Sequence, residues 1–177
     1  MALISYLREK QGWFFEQNRE RWPEIEISIE TALNQLILGA PINEVSWFQY
    51  VYAAKVLCDE FGEHLSNAEW SAGPRLSAWV TEVDAVLAAA GLEPERFAIG
   101  RHLMDRGMPP PLPRFEIPDY PSVGYLLKSE LPSVNQWLGA INLPTETDAG
   151  VRDSIQEAAG WVYACVERRC DLICFAY

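Results

Sequence analysis

The chain closes on Asp171-Leu172-Ile173-Cys174-Phe175-Ala176-Tyr177. Leu172, Cys174 and Ala176 alternate with Ile173, Phe175 and Tyr177, and both sets are apolar. That pattern predicts a strand buried on both faces, or nearly so. Ser122-Val123-Gly124-Tyr125-Leu126-Leu127 reads as a second short strand. The two are natural partners in a small sheet, and helices between them acting as a crossover would make the pair parallel. Most of the remaining chain carries helical periodicity. The fold class expected is α+β, predominantly α-helical, with helices packed around a small C-terminal sheet.

Working outward from that sheet, Ser129-Glu130-Leu131-Pro132 looks like a helix start leading to Trp137, Leu138 and Ile141. Thr147 or Asp148 caps a last helix whose inner face carries Val151, Ile155, Ala158 or Ala159, Val162 and Val166. Upstream, a helix follows Pro74, with Leu76, Trp79 or Val80, Val83, Leu87 and Ala90 on its buried face and Gly91 as its stop. Pro94 starts a short turn through Phe97. Ser66 to Gly73 reads as a loop. Asn43 caps a longer helix with the stripe Trp47, Val51, Ala54, Cys58 and Phe61, closed near Gly62. That stripe is wide enough to predict a central position. A further helix starts at Pro23, carries Ile25, Ile29, Leu33 and Leu36, and ends at Gly39. Residues 2–20 fit a helix better than a strand, although Gly12 weakens the pattern.

Residues 107–121 break the helical pattern. Pro109, Pro110, Pro111, Pro113, Pro118 and Pro121 lie there, half of the 12 prolines in the chain. Neither a helix nor an interior strand tolerates that density, so the segment is read as extended, mainly polyproline II. Leu112, Phe115 and Ile117 favour packing on its own domain over presentation as a ligand. The whole of 1–177 is read as a single domain, with this segment between an N-terminal helical part and a C-terminal αβ part.

Composition narrows the function. The 177 residues hold 14 Lys and Arg against 25 Asp and Glu, a formal net charge of −11. Such a field repels a phosphate backbone, and no basic cluster offsets it, so nucleic acid is excluded as a partner. A basic protein partner is favoured by the same field. No run reaches the roughly 18 apolar residues needed to cross a bilayer, and the start of the chain lacks a basic segment before its apolar run. No membrane contact and a cytoplasmic location are expected. Cys58, Cys165, Cys170 and Cys174 are then reduced by default and read as small buried hydrophobes.

Motifs for chemistry are incomplete. Glu60 and His64 would sit one turn apart on a helix and could form an acid–base pair, but a zinc-protease helix needs a second histidine that is missing. The cysteines form no Cys-x-x-Cys pair. Glycine-rich phosphate loops and a nucleophile elbow are absent from the sequence. No catalytic residue, metal ligand or cofactor is expected. The candidate partner-binding residues are Glu24 and Glu30 on the Pro23 helix, Glu60 and Glu63 at the end of the central helix, and Trp13 and Trp70. These two tryptophans lack obvious core partners, and Trp is enriched in interface hot spots.

Two stretches carry a resemblance. Pro109-Pro110-Pro111-Leu112-Pro113 with Asp119-Tyr120-Pro121-Ser122-Val123-Gly124-Tyr125-Leu126, together with the terminal run from Asp171, resemble a group of uncharacterised bacterial stand-alone domains. Those domains end in an Asp-Leu-Val/Ile-x-Phe-Tyr-Tyr strand; here Ala176 stands in place of the penultimate tyrosine. The resemblance covers about the last third of the chain and the Glu60-to-Trp70 region, and it carries over no reaction. The small acidic build is similar in type to immunity proteins, which neutralise toxins. The function expected is therefore a non-enzymatic acidic protein-binding domain, immunity- or antitoxin-like, whose basic partner is a toxin. The alternative is a small enzyme or ligand-binding domain with a pocket near the Pro-rich segment.

Overall fold

The computed structural model describes residues 50–51, 54–55, 57–58, 61–65, 74–110 and 122–176. The chain divides into two compact units, one of residues 1–64 with 110–121, the other of residues 65–109 with 122–177. The helices expected before residue 40, the 66–73 loop and most of the Pro-rich segment lie outside the described residues.

In the first unit, the described residues from 50 to 58 and Phe61 are helical. Tyr50, Val51 and Ala54 are buried, as expected for the latter two. Phe61, expected on the same inner stripe, is instead 74% exposed. The Gly62 N–H donates to the Cys58 carbonyl at 2.7 Å and the chain then leaves the helix. Periodicity assigns a residue to a face, but it does not say how far along the helix the core extends.

The second unit is α+β. Its first helix among the described residues, α1, spans Pro74–Ala89 and buries Val80, Val83 and Leu87. Gly91, at φ +91°, stops it. The Gly91 N–H bonds the Ala88 carbonyl and the Leu92 N–H bonds the Leu87 carbonyl, both at 3.0 Å. This is the Schellman arrangement, which brings the side chains five residues apart together. Leu87 and Leu92 are both buried there.

A turn at Glu93–Arg96 leads to a π-helical turn, Gly100–Met104. Its signature is the Asp105 N–H donating to the Gly100 carbonyl, five residues back, at 2.9 Å. Periodicity of 3.6 could not reveal it. Strand β1 follows at Ser122–Leu126, α2 at Leu131–Ala140, α3 at Ala149–Arg168 and β2 at Leu172–Ala176. Pro132 occupies the first turn of α2. Asp148, one of the two expected caps, accepts the Gly150 and Val151 N–H groups at 2.8 and 3.2 Å. On α3, Val151, Ile155, Ala158, Val162 and Cys165 are buried, Cys165 taking the place expected for Val166.

The strands pair antiparallel, not parallel. Leu126, which ends β1, faces Leu172, which begins β2. The path through α2 and α3 thus leaves and re-enters the ribbon at the same end. Two connecting helices return the chain to its starting end, whereas a parallel crossover must deliver it to the opposite end. The buried strand is also β1, not β2. Val123, Tyr125 and Leu126 are almost fully buried, while Ile173, Cys174 and Phe175 are half-buried.

The burial of β1 follows from what lies on it. A Cβ built at Gly124 would overlap the Cα and carbonyl carbon of Leu103 and the carbonyl oxygen of His102. The backbone of the π turn therefore rests directly on the strand, where only a glycine fits. Gly124→Ala should lower stability by about 1–3 kcal/mol or more, because backbone cannot rotate away as a side chain can. Gly139 in α2 has open space where a Cβ would stand, so Gly139→Ala should leave stability unchanged or raise it by about 0.5–1 kcal/mol. Chemical denaturation of the two variants side by side checks both expectations.

Candidate functional site

Among the described residues of the second unit, a group of ionisable side chains surrounds the π turn. Asp84, on α1, accepts the Ile99 N–H at 2.6 Å with one carboxylate oxygen and the Gly100 N–H at 2.9 Å with the other. It caps a helix start fifteen residues downstream. Burial pushes the Asp84 carboxyl above its ordinary value, and the two peptide bonds only partly oppose this. A Cβ at Gly100 would come within 3.1 Å of the Asp84 carboxylate, so glycine there leaves room for the approach.

His102 lies on the π turn, with Nδ1 3.1 Å from both the amide nitrogen and the carbonyl oxygen of Ala98. Its ring is tilted against Phe97, with centroids 5.6 Å apart. Burial holds the imidazole below its ordinary pKa; the Ala98 bond opposes this, and Arg106 and Arg101 add to the lowering.

Just past the turn, Arg106 reaches three groups. It donates to the Tyr125 carbonyl at 3.0 Å and to both carboxylate oxygens of Glu130 at 2.8 and 2.7 Å. Its guanidinium carbon lies 4.2 Å from the Tyr125 ring centroid. Glu130 also accepts the Leu127 N–H at 2.8 Å. The bidentate Arg106 contact holds the Glu130 carboxyl below its usual range, against the opposing effect of burial. Gly107, at φ +82°, donates its N–H to the Val123 carbonyl at 2.8 Å. Val123 and Tyr125 are two residues apart, so their carbonyls leave β1 by the same edge. That edge is occupied by Gly107 and Arg106, which blunts it against a further strand.

Each of these ionisable groups thus bonds to backbone. The arrangement fixes the π turn to α1 on one side and to β1 on the other. The sequence reading missed Asp84, His102 and Arg106 as a group because their neighbourhood arises only when residues 84, 102 and 130 meet in space.

Glu24, Glu30, Glu60, Trp13 and Trp70 lie outside the described residues. Glu63 is exposed, in the chain beyond Gly62, and so is His64. His64 therefore does not continue the helix that would have set it one turn from Glu60. Of the four cysteines expected to be buried, Cys165 is; Cys58 and Cys174 are half-buried, and Cys170 is exposed.

The second feature is the outer face of α3. Asp153, Gln156, Gly160, Tyr163 and Glu167 are all exposed and recur at steps of three and four. At 100° per residue they share one side of the helix. Tyr163 is 56% exposed, and beyond the helix's own neighbouring backbone nothing lies within 4 Å of where a Cβ would stand at Gly160, one turn away. The result is an acid-flanked face with an outstanding aromatic ring and a side-chain gap beside it. The opposite face is fixed by core packing and by the Trp79 Nε1–H bond to Ser154 Oγ at 3.1 Å. The outer stripe is present in the sequence as the complement of the inner one.

Among the described residues, no group of His, Cys, Asp and Glu is placed to hold a metal ion, and no helix is long and apolar enough to cross a membrane. A family model described as a domain of unknown function (DUF7691) matches residues 5–177, and the chain belongs to that family. No curated protein and no solved structure matches it.

Acidification should weaken the fold through two of these groups. The folded pKa of His102 lies below its ordinary 6.5, so below that pH the unfolded chain takes up a proton that the folded chain refuses, and stability falls. Glu130 has the same sign at lower pH: its contribution is present above the ordinary carboxylate range and is lost as pH falls through the depressed folded value. Asp84, raised in the fold, opposes this loss. His102→Asn should therefore flatten the stability profile between about pH 7 and pH 5, and Glu130→Gln should flatten it below that range, as read by urea midpoints against pH.

Proposed function

We propose that the chain is a non-enzymatic binding domain for a basic protein, and that the outer face of α3 is part of its contact surface. The observation that carries this reading is Tyr163, exposed on a core-packed helix between Asp153 and Glu167, with open space at Gly160. A rigid aromatic ring loses little conformational freedom on docking and buries a large area, and flanking carboxylates steer a cationic partner toward it. Gly160 leaves a notch into which a partner side chain fits. The net charge of −11 favours the same class of partner. The bonding of Asp84, His102, Arg106 and Glu130 to backbone supports a structural use of the ionisable groups over a catalytic one. An immunity- or antitoxin-like role, with a basic toxin as the partner, is the specific form proposed, on the similarity in size and charge to such proteins.

A photo-crosslinking amino acid in place of Gln156, followed by mass spectrometry, should capture a protein with a basic surface, which is then purified for affinity measurements. Tyr163→Ala should weaken that binding by about tenfold or more. Asp153→Lys with Glu167→Lys should slow association, and added salt should slow the wild-type association. Gly160→Arg should block docking while the fold persists. A captured partner whose affinity ignores all three changes would remove the reading.

A further inference from the structure

The end of α3 repeats the geometry of the end of α1 with different side chains. Arg169 adopts the left-handed conformation, φ 55° and ψ 38°, and its N–H donates to the Val166 carbonyl at 3.2 Å. The Cys170 N–H donates to the Cys165 carbonyl, also at 3.2 Å. This is again the Schellman pattern, whose backbone turn brings together the side chains of residues five apart. At the end of α1 that pair is Leu87 and Leu92. Here it is Cys165 and Cys170, joined by the Cys170 N–H bond to the Cys165 carbonyl. One is buried and the other is exposed.

We propose that Cys165 and Cys170 form a reversible disulfide by exchange with a low-molecular-weight disulfide. The exposed Cys170 thiolate attacks one sulfur of RS–SR. A protein–S–SR bond forms and one RS⁻ leaves. The Cys165 thiolate then attacks Cys170 Sγ, closing the intrachain bond and expelling the second RS⁻. The protons of the two protein thiols end on two RSH, so one S–S bond is broken and one is made, with the reagent reduced and the protein oxidised.

The asymmetry of the pair sets the order of attack. Burial pushes the Cys165 thiol up to about 12, and its Cys170 neighbour adds to the shift, which makes Cys165 a poor first nucleophile. Once Cys170 is capped as a mixed disulfide, its contribution to suppressing Cys165 is removed. The backbone of the cap already holds the two residues next to one another through the Cys170 N–H bond to the Cys165 carbonyl. Cys165 Sγ also lies 3.8 Å from the Asp171 carbonyl, and Leu172 begins β2 immediately beyond. The bond would tie the last turn of α3 to the entry of the sheet. Cys174 is the competing partner for Cys165. Burial drives its thiol up to about 12, with Cys165 a lesser cause, and it sits inside a paired strand. This site does not depend on the α3 face binding a partner.

The full chain is equilibrated with reduced and oxidised glutathione over a range of ratios, quenched by alkylation and mapped by mass spectrometry. The expected result is loss of the Cys165 and Cys170 thiols together, a peptide pair linked through them, and Cys58 and Cys174 still alkylated. Cys165→Ser should stop at one glutathione on Cys170. Cys170→Ser, a change at an exposed position that should leave the circular dichroism unaltered, should abolish both products. A stable mixed disulfide at Cys170 in the wild type, a Cys165–Cys174 bond, or no reaction under oxidising ratios would each overturn the proposal.

Discussion

The second unit depends on one contact between backbones, where the π turn lies on β1 at Gly124. Two main chains approach this closely only if one of them has no side chain at the crossing. The consequences spread in both directions along the chain. With the turn seated there, the peptide of Gly107 and the guanidinium of Arg106 reach the outer edge of β1 and close it. With that edge closed, β1 becomes the buried strand, and a two-stranded ribbon suffices where an unprotected one would be marginal.

The ionisable groups near the turn hold this contact in place. Asp84 spans from α1 to the peptides that begin the turn, and Glu130 spans from the start of α2 to Arg106 at its end. A half-buried bidentate pair that also bonds backbone has little freedom left, so it defines position as well as adding stability. Burial meanwhile sets opposite signs on the titrations of Asp84 and His102. Asp84, Arg106 and Glu130 attach this short, irregular element to α1, β1 and α2.

Helix α3 connects this scaffold to the proposed function. Its inner face is held by the core and by the Trp79–Ser154 bond, which leaves its outer face rigid and exposed. A binding surface on a packed helix is more exact than one on a loop, because its residues do not have to be ordered on binding. The same helix ends in the cap that pairs Cys165 with Cys170. An exposed thiol beside a buried one differs chemically from four buried cysteines, and backbone geometry accounts for the difference.

The sequence by itself determined the elements whose signals are local. Val80, Val83 and Leu87 marked α1, and Gly91 its end. Asp148 marked the start of α3, and the apolar runs at 122 and 172 marked the strands, so the α+β class and the strand locations were legible. Strand direction was not, because it depends on where α2 and α3 return the chain, and the alternation of side chains is the same in either direction. The exposure of Phe61 and Cys170 was not legible either, since hydrophobicity reports what a residue prefers and not whether the core reaches it. The π turn left no signal in a search for period 3.6, and its cluster joins Asp84, His102, Arg106 and Glu130 from separate stretches of chain. Only the tertiary structure decided these features: strand direction and the ionisable cluster arise from contacts between residues far apart in sequence, and the π turn and the exposure of Cys170 from backbone geometry that side-chain pattern does not record.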